Sequence, residues 1–100
     1  FSREFHVNTF HAGAEAIPAS EKDIPDLFLI DYELEDESGY ELLLQIKQSE
    51  KFKDLPVVFI SGKQNSDLRI ECLKAGASDF VTKPFNPIEL DIKIKNLLTK

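Results

Sequence analysis

The chain is 100 residues long, 42% apolar and 30% charged, with a formal net charge of −6. That makes one domain with a single core, of a composition ordinary for a soluble globular chain, and the scattered Lys and Arg argue against direct nucleic-acid binding. No apolar run approaches the roughly 20 residues that cross a bilayer, so neither a membrane span nor membrane contact is expected. No signal peptide opens the chain, and Phe1 where Met is expected reads as a trimmed start. The single cysteine, Cys72, fits a reducing, cytoplasmic setting, and its surroundings, IECLKAG, point to packing rather than chemistry.

In chain order, FHVNTF (5–10) alternates and is aromatic and β-branched, which predicts a strand. AGAEAI (12–17) predicts a helix that Pro18 shortens or kinks, because proline lacks the backbone donor. LFLI (27–30) and VVFI (57–60) are short continuous apolar runs, the mark of strands covered on both faces. Between them Ser38 and Glu41 form a capping box opening GYELLLQIKQ, where Leu42, Leu43 and Ile46 make one apolar stripe. SDLRIECLKAGA (66–77) predicts another helix, stopped by Gly76 where a left-handed cap is common. DFVT (79–82) is the last strand, and Asn86 and Pro87 are N-cap and first-turn residues for IELDIKIKNLLTK. ELDIKIK also alternates like a strand, but the Asn-Pro start and the spacing of Leu90, Ile94, Leu97 and Leu98 favour a helix.

Strands alternating with helices imply a parallel, three-layer α/β sheet, and ligands of such sheets bind outside the carboxyl ends of the strands. The residues there are Asp31 after LFLI, Ser61-Gly62 after VVFI and Lys83-Pro84 after DFVT. A carboxylate can accept a phosphoryl group as an acyl phosphate, a reaction governed by positioning and charge neutralisation. Lys83 would supply a fixed positive charge and Ser61 a hydrogen bond to one oxygen. The neighbouring acids Glu33, Glu35, Asp36 and Glu37 would repel phosphate unless a hard cation such as magnesium lies between. Each residue alone has a plainer reading: Asp31 as a loop start, Ser61-Gly62 as a turn, Lys83 as a solvated charge. Glu35, Asp36 and Glu37 read mainly as a solvated loop, and His6 and His11 lack metal-ligand spacing. Joint occurrence at successive strand ends favours the chemical reading.

The stretches PDLFLIDYELEDESGYELL, LPVVFISG, LKAGASDFVTKPF and PIELDIKIKNLL resemble the receiver domain of two-component response regulators, over about residues 5 to 100. The spacing agrees, with 30 residues from Asp31 to Ser61 and 22 more to Lys83. The resemblance implies a flavodoxin-like fold with Asp31 as phosphoacceptor, Ser61 as switch hydroxyl, Lys83 as phosphate-pairing cation and Phe80 as switch aromatic. It implies a cis Lys83–Pro84 bond and Mg2+ held by Asp31 and the backbone carbonyl of Glu33. The implied partners are a sensor histidine kinase or phosphotransfer protein, and an output domain or second copy engaged through about 66–100. Slow self-hydrolysis, rather than conventional turnover, is the only enzymatic activity implied.

Two departures from the family pattern stand out. Glu35 and Ser38 replace the usual Pro and Asp, from which altered loop geometry is expected without loss of chemistry. No strand bearing an acidic pair precedes FHVNTF, so the domain reads as truncated, FSRE being the end of a missing first helix. The family's first strand would lie between the strands at 5–10 and 27–30, so a central gap is expected there. The rivals are a degenerate receiver acting as an interaction module, a haloacid dehalogenase-like phosphatase with Glu33 as second acid, and a plain structural domain.

Overall fold

The computed structural model describes residues 7–10, 13–22, 24–33, 38–62 and 66–99. Strands and helices alternate within them: β1 (Val7–Phe10), α1 (Gly13–Lys22), β2 (Leu27–Asp31), α2 (Gly39–Gln48), β3 (Val57–Ser61), α3 (Ser66–Lys74), β4 (Asp79–Thr82) and α4 (Pro87–Leu98). The strands form one parallel sheet in the order β1-β2-β3-β4. Because that order runs one way, right-handed crossovers would put all three connecting helices on the same face.

The core divides accordingly. Ala16 of α1, Leu42, Leu43 and Ile46 of α2 and Cys72 of α3 cluster with Phe28, Ile30, Val57, Phe59 and Phe80 of the sheet. A second cluster joins Leu90 of α4, flanked by Ile94, Leu97 and Leu98, to Leu27, Val58 and Ile60. β3 is buried along its whole length, as a strand covered on both faces must be. The result is the three-layer, flavodoxin-like α/β architecture.

Two expectations are corrected. The central gap is closed: β1 pairs directly with β2, from Val7 opposite Leu27 to Phe10 opposite Ile30. Two facing edges of unpaired amides and carbonyls satisfy one another by forming a ladder. Nor does Pro18 shorten its helix, since α1 runs through it to Lys22. Pro18 is itself exposed, while Ala16 and Ser20, two residues to either side, are fully buried, so the helix continues through it at the loss of one backbone donor. No described helix is long and apolar enough to cross a membrane.

The helix ends follow their local chemistry. Ser38 Oγ accepts from the Glu41 amide at 3.3 Å, and Asn86 Oδ1 from the Ile88 amide at 2.9 Å. α3 stops at Lys74 because Gly76 turns to φ +114°, its amide donating to the Leu73 carbonyl and that of Ala77 to Cys72. An L side chain is strained at that φ, so Gly76→Ala is expected to cost about 1–2 kcal/mol. A lower urea midpoint at unchanged slope would register the loss; an unchanged midpoint would show that the cap carries no strain.

Candidate functional site

The carboxyl edge of the sheet gathers its chemistry from three adjacent strands. Asp31 ends β2, Ser61 ends β3, and Lys83 follows Thr82, the last residue of β4 and the register partner of Ser61. The Tyr32 amide donates to the Ile60 carbonyl at 2.8 Å and the Lys83 amide to the Ser61 carbonyl at 2.7 Å. These two bonds extend the ladders past the last strand residues and fix where the side chains emerge. The Lys83–Pro84 peptide bond is cis.

Lys83 Nζ lies 3.1 Å from Asp31 Oδ2, while the Glu33 amide donates to Asp31 Oδ1 at 3.1 Å. Both carboxylate oxygens are thereby oriented. Asp31 is mostly shielded, its side chain 18% exposed, whereas the Lys83 side chain is 45% exposed. The ion pair is therefore solvent-screened and worth at most about 1 kcal/mol to folding. Its arrangement nonetheless suits an incoming anion: a cation stands beside the acid at the mouth of the edge.

Ser61 is fully buried, and its Oγ donates to Glu33 Oε2 at 2.6 Å. The Gly62 amide donates to Glu33 Oε1 at 3.0 Å. Sequence reasoning gave Glu33 a metal-binding backbone carbonyl and counted its carboxylate among the acids facing a cation, or as the second acid of a phosphatase. It did not foresee this use of the carboxylate on Ser61 and Gly62. Part of the signal was available: residues two apart in an extended chain project to the same side, so Glu33 shares the side of Asp31.

Beneath the site lies an aromatic floor. Tyr32 meets Phe59 edge-on with ring centroids 5.5 Å apart, and Phe80 lies 5.9 Å from Tyr32 and 6.1 Å from Phe59. Phe80 is almost fully buried, its carbonyl accepting from Arg69 Nη1 at 3.0 Å. Burial, then the nearby Cys72 and Glu71, pushes the Tyr32 phenol above its ordinary pKa. Ser38, one of the two departures from the family pattern, caps α2 and bridges to Glu33. His6, His11, Glu35, Asp36 and Glu37 lie outside the described residues.

For a magnesium ion, the described residues fit in kind but not in number. No group of three or more His, Cys, Asp or Glu side chains among them is placed to hold a metal. The Asp31 carboxylate and Glu33 carbonyl are oxygen donors of the class magnesium takes, with waters and phosphate completing its shell.

Cys72 belongs to the core, not the site. Burial, helped by Glu71, pushes its thiol from 9.0 up to about 11. The folded state then holds the proton longer than the unfolded one. The stability this contributes is full below about pH 9 and is lost as pH rises through about 11. The thiol is expected to ignore Ellman's reagent at pH 8 and to react fully in urea; rapid reaction of the folded chain would contradict its burial.

Comparison with known proteins places these features in a family. Residues 2–95 match the response regulator receiver domain. The chain is 38% identical over 96 residues to the regulatory protein VanRc of Enterococcus gallinarum, covering 96% of this chain and 40% of that protein. It is 35% identical over 98 residues to hybrid signal transduction histidine kinase D of Dictyostelium discoideum, covering 98% of this chain and 6% of that protein. The solved non-phosphorylated HemR receiver domain of Leptospira biflexa superimposes with a TM-score of 0.79 at 28% identity, covering 90% of this chain and 71% of that one. The chain thus spans well under half the length of these curated relatives. A match reaching almost from end to end decides against the phosphatase: the chain belongs to the response regulator receiver domains, the phosphoacceptor signalling domains of two-component systems.

Proposed function

We propose that Asp31 is the residue that accepts the phosphoryl group. The observation that carries this reading is the 3.1 Å contact between Asp31 Oδ2 and Lys83 Nζ at the carboxyl edge of the sheet. A carboxylate oxygen of Asp31 forms the new P–O bond as the bond to the donor imidazole breaks. Lys83 neutralises charge on the transferring group, and Ser61 Oγ donates to one of its oxygens. Slow attack by water on phosphorus would return phosphate and the free carboxylate. Asp31 and the Glu33 carbonyl would hold Mg2+, which when bound supplies further charge neutralisation.

The donor is a sensor histidine kinase or phosphotransfer protein, met in the cytoplasm. Phosphorylation recruits Ser61, and Phe80, lacking a hydroxyl, repacks without breaking a side-chain hydrogen bond. The output surface lies along 66–100, where Ile70, Leu73, Phe85, Ile88 and Ile92 are exposed. Its occupant is an output domain or a second copy of the domain.

The test is to label the full-length natural protein with a small phosphodonor and reduce the acyl phosphate with borohydride. Homoserine at position 31 is expected. Modification elsewhere would move the acceptor, and no acyl phosphate at all would favour an interaction module. The division of labour is separately testable. Lys83→Ala is expected to uncouple acceptance from conformational change, while Ser61→Ala leaves acceptance largely intact. Equal loss of labelling in both would mean that the roles are wrongly divided.

A further inference from the structure

We infer that the Glu33 side chain is a built-in competitor for the phosphoryl group: its carboxylate occupies two donors beside Asp31, Ser61 Oγ and the Gly62 amide, that would otherwise be open to phosphoryl oxygens. The inference rests on Asp31 as acceptor and adds a gate to that site. Ser61 Oγ donates to one carboxylate oxygen at 2.6 Å and the Gly62 amide to the other at 3.0 Å. Two oxygens on one carbon meeting a hydroxyl and an amide resemble two terminal oxygens on one phosphorus. Both are charge-assisted contacts, the stronger class of hydrogen bond.

The positions of the strands make the competition unavoidable. The Lys83 amide donates to the Ser61 carbonyl at 2.7 Å while its Nζ lies 3.1 Å from Asp31 Oδ2, so the Asp31 carboxylate faces the end of β3 and a phosphoryl group on it would lie there. Glu33 reaches the same place because its own amide is tied to Asp31 Oδ1 at 3.1 Å. Backbone and side chain of one residue thus engage the acceptor and the donors together. Two anionic groups cannot both use one hydroxyl hydrogen and one amide hydrogen at full strength. Phosphorylation must therefore turn Glu33 away, and until it does Ser61 is already engaged by a carboxylate. Glu33 acts through these donors, so it is a positioning residue.

The test uses the full-length natural protein and beryllofluoride with Mg2+ as the phosphoryl mimic. Freeing the two donors in Glu33→Ala is expected to tighten beryllofluoride binding about tenfold, the difference one or two exchanged hydrogen bonds make. In a Ser61→Ala background, where one contested donor is gone, the same change is expected to yield only about threefold. No gain, or an equal gain in both backgrounds, would overturn the competition and leave only the general field of the carboxylate. A second readout needs neither metal nor phosphate: the Gly62 amide proton resonance should move upfield in Glu33→Ala. An unmoved Gly62 resonance would sink the proposal by itself. Failure of the wild type to bind beryllofluoride would count against Asp31 as acceptor, while the Gly62 shift would still decide whether Glu33 occupies the donors.

Discussion

Asp31→Asn is expected to abolish acid-stable, hydroxylamine-labile phosphorylation by a small phosphodonor such as acetyl phosphate. An amide oxygen is a poor nucleophile toward phosphorus and cannot form the acyl phosphate, so the loss should be complete rather than partial. The fold should survive. Asparagine keeps an oxygen for the Glu33 amide that now donates at 3.1 Å, and the forfeited pairing with Lys83 is solvent-screened. That pairing is worth about 1 kcal/mol or less, against a total stability of about 5–15 kcal/mol for a domain of this size. An unchanged circular dichroism spectrum beside lost labelling would place the defect in the chemistry. Labelling at the wild-type level would end the assignment of Asp31.

Most of this site was legible because strand ends are legible. LFLI and VVFI are short apolar runs of the kind doubly covered strands carry, and in the sheet every residue of them but the half-buried Leu29 is buried. Once those strands are parallel, Asp31, Ser61 and Lys83 must share an edge. The caps at Ser38, Gly76 and Asn86 were equally readable, since each follows from one residue's own backbone chemistry. Strand neighbourhood was not readable in this way. Which strand pairs with β2 depends on which edges compete for it, a tertiary property that no stretch of sequence encodes alone, and the resemblance predicted a gap where β1 pairs directly. The shortening expected at Pro18 was misjudged for a related reason. The proline's local penalty is visible in the sequence, whereas the burial of Ala16 and Ser20 along the same helix is visible only in the packing. The carboxylate of Glu33 lay between these cases, since its side of the chain was inferable but its partners on the next strand were not.

Phe59→Ala is expected to cost the largest share of folding stability of any change proposed for this chain. Phe59 is fully buried at the centre of β3, with Phe80 opposite it in the register of β4. Its ring meets Tyr32 edge-on and Phe80 at a tilt. It also presses on the start of α2, because a Cβ placed on Gly39 would come within 2.9 Å of Phe59 Cε1. β2, β4 and α2 therefore meet at one ring, and truncating it opens a cavity that none of them can fill without abandoning its own contacts. Phenylalanine-to-alanine changes in such cores cost about 3–5 kcal/mol, a large part of what a small domain possesses. Phe59→Leu retains much of the volume and should lose clearly less. Urea unfolding of the three proteins checks the order, and near-ultraviolet circular dichroism of the alanine variant reports whether Tyr32 has lost its fixed surroundings. The consequence reaches the site, because Tyr32 is joined to Asp31 and Phe80 lies three residues before Lys83. A loosened floor would blur the position of both charges before the sheet itself comes apart. If Phe59→Ala lost less than about 1 kcal/mol, the ring could not be the packing centre that holds the acceptor edge together.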